Sequence, residues 1–154
     1  MADYPPEIGE LVRSYLEGAG FTVALTIQNR GLEEAMRDRK ADLTISVWVG
    51  DYPDGDAYLY PLYHSTVAGS AGNDGAYANP AVDQLIDASR RELDPARRAA
   101  LLRAADSLVF ADAPAVPLWF THSASAYSLR LAGWGRDPQG SRFARLRLAT
   151  DGAP

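Results

Sequence analysis

Phe21-Thr22-Val23-Ala24-Leu25-Thr26-Ile27 and Leu43-Thr44-Ile45-Ser46-Val47-Trp48 are two β-branched runs separated by a short helical pattern over residues 31–40. Alternation of Phe, Val, Leu and Ile with Thr and Ala predicts strands with one buried face. A strand, a helix and a strand at that separation predict a βαβ unit, its strands parallel and its crossover right-handed. Working outward, the second run leads into Val49-Gly50-Asp51-Tyr52-Pro53-Asp54-Gly55-Asp56, an acidic, turn-forming loop. Open α/β sheets receive ligands at the carboxyl ends of their strands, where this loop would lie. Before the first run, Pro5-Pro6 followed by Ile8, Leu11, Val12, Tyr15 and Leu16 predicts an amphipathic helix that buries one face and ends at Gly18 and Gly20.

Beyond the loop, residues 57–63 carry three tyrosines, and the small-residue stretch 65–78, with Gly69, Gly72 and Gly75, reads as a surface loop. Asn79-Pro80 and Asp94-Pro95 each pair an N-cap residue with a proline at the first helical position. Val82, Leu85, Ile86 and Leu93 supply the apolar face of the first helix. In the second, Leu101, Leu102, Ala105, Leu108 and Val109 face inward and Arg97, Arg98 and Arg103 largely outward, and it stops before Pro114. The expected arrangement is an antiparallel helical hairpin. Residues 116–120, 126–131 and 143–148 read as further strands, broken by Gly133, Gly135, Pro138 and Gly140. The whole of 1–154 is expected to form one α/β domain.

The formal net charge of -5 repels a phosphate backbone, so nucleic-acid binding is not expected. With no cysteine, disulfides, thiolate nucleophiles and thiolate zinc sites are excluded. No basic segment followed by an apolar stretch opens the sequence, so no signal peptide is expected within it, and no apolar run is long enough to span a bilayer. His64 and His122 lack metal-ligand spacing, and no phosphate loop, dinucleotide fingerprint or nucleophile elbow occurs. Asp51 with Asp54 or Asp56 imitates a glycosidase pair, but all three sit on one Pro/Gly loop rather than in a rigid cleft. The expectation is a protein without metal or cofactor that is not an enzyme.

Trp48-Val49-Gly50-Asp51-Tyr52-Pro53-Asp54, then Tyr77-Ala78-Asn79-Pro80-Ala81-Val82-Asp83, Asp94-Pro95-Ala96-Arg97-Arg98 and Pro114-Ala115-Val116-Pro117-Leu118 follow one another in order. Together they resemble the peptide- and nickel-type solute-binding proteins, solute-binding family 5. The resemblance covers roughly residues 5–134. It implies a periplasmic-binding-protein-like fold of type II, in which two α/β lobes close around a ligand and hand it to ABC permease subunits outside the cytoplasmic membrane. This chain would then be part of the second lobe, comprising the βαβ unit, helical hairpin and C-terminal strands, with the N-terminal lobe missing.

Within that resemblance Asp51 is the residue matching the family's acidic position, which can pair with the free amino group of a bound peptide. Val47, Trp48 and Val49 would offer backbone groups to a ligand as a sheet edge does, which tolerates many side chains. Trp48 would wall the side-chain pocket, Gly50 and Tyr52 complete the segment, and Tyr58 and Tyr63 are weaker candidates. Asp54 and Asp56 are expected to be solvated turn residues. Two other readings stand beside this one: an interaction module descended from such a lobe, which would self-associate through its exposed lobe face, and a carbohydrate-binding face built from Trp48, Tyr52, Tyr58, Tyr60 and Tyr63.

Overall fold

Both helix-start signals act as their chemistry predicts. The Asn79 side chain accepts the Ala81 amide at 2.9 Å, and that of Asp94 accepts the Arg97 amide at 2.8 Å, with Pro80 and Pro95 just inside. The computed structural model describes residues 5–27, 38, 40–69, 72–120, 124, 126–134, 136–137, 140–141 and 146–148. Its helices are α1 (Pro6–Gly18), α2 (Asp56–Tyr63), α3 (Pro80–Arg91) and α4 (Pro95–Asp112), with a single 3₁₀ turn at Ser65–Val67. Among the described residues, two-residue strands follow: β1 (Leu131–Ala132), β2 (Arg136–Asp137), β3 (Gly140–Ser141) and β4 (Arg147–Leu148).

Helices α3 and α4 form the expected antiparallel hairpin, joined by Glu92, Leu93 and Asp94. Their open ends are tied where α3 begins and α4 finishes: the Tyr77 hydroxyl and the Asn79 side-chain amide both donate to Asp112 Oδ2. Burial and this bond to a carboxylate hold the Tyr77 hydroxyl proton, pushing its pKa up to about 12. Inside the hairpin, Val82, Ile86, Ala105 and Val109 meet Leu59 of α2 in one buried cluster, with Leu85, Leu102 and Leu108 packed against it. Each fully buried aliphatic side chain there contributes roughly 1.5–3 kcal/mol. Leu93 departs from the expectation: it lies past the end of α3 and is 94% exposed. Helix α1 departs too, because Ile8, Val12 and Leu16 are only half-buried while Leu11 and Tyr15 are exposed. It lies over the first β-branched run, with Gly9 against Leu25.

The predicted parallel strand pair is not formed. Among the described residues, 21–27 and 43–48 enter no ladder, and Phe21, Ile27, Leu43 and Val47 are exposed. The reason is that β-branched alternation specifies a chain suited to a sheet but not its neighbour, and a strand exists only through hydrogen bonds to one. The helical pattern of 31–40 lies outside the described residues except for Asp38 and Lys40. Of the C-terminal strands, 116–120 is exposed and is not assigned to a strand, whereas Leu131 and Ala132 pair antiparallel with Leu148 and Arg147. The β2–β3 pair, Arg136 with Ser141 and Asp137 with Gly140, arises in the stretch read as a break. Residues 142–145 and His122 lie outside the described residues. The α/β description therefore holds only in coarse form: helices dominate, and the strands are few and short.

Candidate functional site

Helix α2 was not apparent in the sequence because Pro61 lies inside it. A proline has no N–H to give the carbonyl four residues back, which here is that of Ala57. The Trp48 indole Nε1–H supplies the missing donor, at 2.8 Å from Ala57 O. The same ring lies on Gly72, whose φ of 106° belongs to the left-handed region; a Cβ there would stand 2.7 Å from Trp48 Cζ3. Gly50 is bare for a related reason, since a Cβ would meet the Tyr58 ring at 2.7 Å. Trp48 is thus bound to α2 through its polar edge and covered at Gly72.

The loop between Trp48 and α2 is held by charge. Asp54 accepts two hydrogen bonds from the Arg98 guanidinium, 2.6 Å from Nη1 and 2.9 Å from Nη2, and a third from the Asp56 amide at 2.8 Å. The Arg98 bonds keep the Asp54 carboxyl below the usual carboxylate range and raise the pKa of Arg98 in turn. Asp56, only 5% exposed, accepts the Tyr52 hydroxyl at 2.6 Å and lies 3.4 Å from Arg90 Nε. Its carboxylate, bonded to the phenol, raises the Tyr52 pKa. Asp54 and Asp56 are therefore structural anchors and not the solvated turn residues expected, and Arg98 turns toward the loop rather than outward. What the charge count missed was that an Arg one turn into α4 and an Asp forty-four residues earlier meet through the fold.

Of the five residues singled out, Trp48, Gly50 and Tyr52 are engaged as just described, and Val49 and Asp51 are exposed on the loop. The five aromatic rings do not make one platform: Arg90 covers Tyr60 at 3.9 Å, and Tyr63 packs edge-on to Tyr77 at 6.0 Å. The stretch 65–78 is more than a surface loop. Asn73, 2% exposed, donates to the carbonyls of His64 and Tyr77 and accepts the Tyr77 amide, while Asp83 accepts both the amide and hydroxyl of Ser65. Buried His64 caps the 3₁₀ turn by accepting the Thr66 amide at 3.2 Å, so this imidazole has structural work. Asn73 carried no sequence signal beyond a polar residue among glycines. Among the described residues, no group of three or more His, Asp or Glu side chains is placed to hold a metal ion.

Residues 2–70 match the family model described as bacterial extracellular solute-binding proteins, family 5 Middle. Similar proteins include "Protein XP55" of Streptomyces lividans, 49% identical over 42% of this chain and 12% of that protein. "Di/tripeptide-binding protein 4" of Pseudomonas aeruginosa is 30% identical over 74% of this chain and 22% of its own length. "Probable ABC transporter periplasmic-binding protein SapA" of Escherichia coli is 28% identical over 88% of this chain and 24% of its own length. The chain thus spans about a quarter or less of the length of these relatives.

Proposed function

We propose, since the chain belongs to the family 5 bacterial extracellular solute-binding proteins, that it forms part of the second lobe of a two-lobed protein that captures peptides or similar small solutes for an ABC importer. It performs no chemistry in this reading. The observation that carries it is the loop of residues 48–56, anchored at Trp48, Tyr52, Asp54 and Asp56, in which Asp51 is an exposed residue. Anchored neighbours and an exposed carboxylate suit the capture of a cationic end. At 4 Å such a pair gains about 1 kcal/mol in bulk water and about 4 kcal/mol at the effective dielectric near a protein surface. Desolvation offsets part of that gain, so Asp51 confers selectivity for a free amino group more than raw affinity. Val49 and the backbone of 47–49 would align the ligand chain. The exposed apolar residues of the two β-branched runs would find sheet partners in the other three quarters of such a protein, which would reside in the periplasm or on the outer face of the membrane.

The test replaces the matching segment of the Pseudomonas di/tripeptide-binding protein with this chain and titrates the product calorimetrically with tripeptides whose amino ends are free or acetylated. The expected result is at least tenfold preference for the free amino end, lost in Asp51→Asn. Equal affinity for both peptides, or a preference untouched by Asp51→Asn, removes the role of that carboxylate.

A further inference from the structure

The loop that carries Asp51 is fastened at its far side to a helix it does not neighbour in sequence. We infer that Asp54 and Arg98 are positioning residues, a latch that holds residues 49–55 against α4 and so sets where Asp51 is presented. The inference rests on the reading of Asp51 given above.

Geometry is the first support. A planar guanidinium grips both oxygens of Asp54, at 2.6 and 2.9 Å, and a two-point grip fixes the plane of the carboxylate as well as its distance. The second support is what lies at each end of the pair. Arg98 stands in the first turns of α4, just after the Asp94 cap, and the same helix enters the core through Leu102, Ala105 and Val109. On the loop side, Asp54 Oδ1 also accepts the Asp56 amide, so the gripped carboxylate stiffens the turn that starts α2. The latch therefore refers the loop to the best-packed part of the chain. The third support is cover: both side chains are mostly covered, at 28% and 31% exposed, whereas in the Arg97–Glu92 pair at the hairpin tip the Arg97 side chain is 72% exposed. A single ion pair that still reaches solvent adds little to stability, so an effect on the placement of the loop separates from an effect on folding.

Amide hydrogen exchange of the 154-residue chain, without ligand, reads this directly. In Arg98→Met the amides of Asp54 and Asp56, which donate to Tyr52 O and Asp54 Oδ1, are expected to exchange at least tenfold faster, while those of Val82, Ile86, Ala105 and Val109 stay within twofold. Arg98→Lys, which keeps the charge and loses the fork, gives an intermediate value. The paired variant Asp54→Arg with Arg98→Asp restores slow loop exchange. Loop exchange unchanged in Arg98→Met overturns the latch, and so does a uniform acceleration through the hairpin, which a merely structural role produces. Because no peptide is present, this outcome is independent of the peptide titration: Asp51 can fail there while the latch stands, and the reverse.

Discussion

Residues 56–112 are less apolar in sequence than the β-branched runs at 21–27 and 43–48, yet among the described residues it is 56–112 that builds the core. In the first region Val82 and Ile86 are completely buried and both helices of the hairpin begin at a satisfied cap. In the second, Phe21 and Leu43 are 64% and 73% exposed and the backbone enters no ladder among the described residues. The difference is one of bond partners. A helix satisfies its own amides within four residues, so a stripe of apolar side chains and a cap suffice to specify it. A strand borrows its partners from elsewhere, and the same quality of sequence signal leaves it unfinished until they are present.

The largest expected effect tests that contrast. Ile86→Ala should cost about 2–5 kcal/mol, because it removes fully buried methylenes and leaves a cavity between α3 and α4. Leu43→Ala, which removes a side chain of similar size from an exposed site, should stay within about 0.5 kcal/mol. Urea unfolding of the two variants measures both. A Leu43→Ala cost close to that of Ile86→Ala would mean that the second run is packed in solution, and the comparison between the regions would collapse.

A smaller effect probes the seam between the regions, where Trp48 of the extended run completes the hydrogen bonding of α2. Trp48→Phe leaves the Ala57 carbonyl without a donor and should cost roughly 1–3 kcal/mol, toward the lower end because the site is part-buried. Pro61→Ala gives that carbonyl a backbone N–H, so in its background the cost of Trp48→Phe should fall by about 1 kcal/mol. The packing of the indole on Gly72 is lost in both backgrounds and cancels in the cycle. Additive costs would show that the indole N–H and the proline are unrelated.

How much could be read beforehand follows the same division. Asn79-Pro80, Asp94-Pro95 and the apolar positions of α3 and α4 announced the hairpin because each signal acts within one turn of itself. Leu93 was misplaced because periodicity carries on past a helix end that Glu92 has already closed. Helix α2 was hidden by Pro61, whose effect on the ladder is cancelled by a tryptophan nine residues before Ala57. At the candidate site, Trp48 and the acidic loop were legible as a motif, while the anchors Arg90, Arg98 and Asn73 were not. Their partners are set by packing between helices, and no local pattern encodes the meeting of Asp54 with Arg98. Asp51 itself was legible only through the order of motifs shared with the family.

The smallest effect is a titration, and it sharpens the contrast between the loop and the hairpin tip. Arg98 depresses the pKa of Asp54 in the folded chain, so the contribution of this pair is present above the unfolded value, about 3.9, and is lost as pH falls through the lower folded value. Glu92 is held at about 2 by Arg97 at the tip of the hairpin, with the same sign. Carboxyl carbon shifts followed by NMR between pH 6 and pH 2 should therefore show both groups with lower midpoints than free side chains. In Arg98→Met the Asp54 midpoint should climb to the ordinary carboxylate range while that of Glu92 stays where it was, because the two ion pairs share no residue. If both midpoints moved together, the change would be reporting a general loosening of α4, and the loop would have no private tie to the hairpin. If only Asp54 moved, the acidic loop is charge-locked to a helix whose own termini are undisturbed, which is the condition for a loop to be placed by the hairpin without being part of its core.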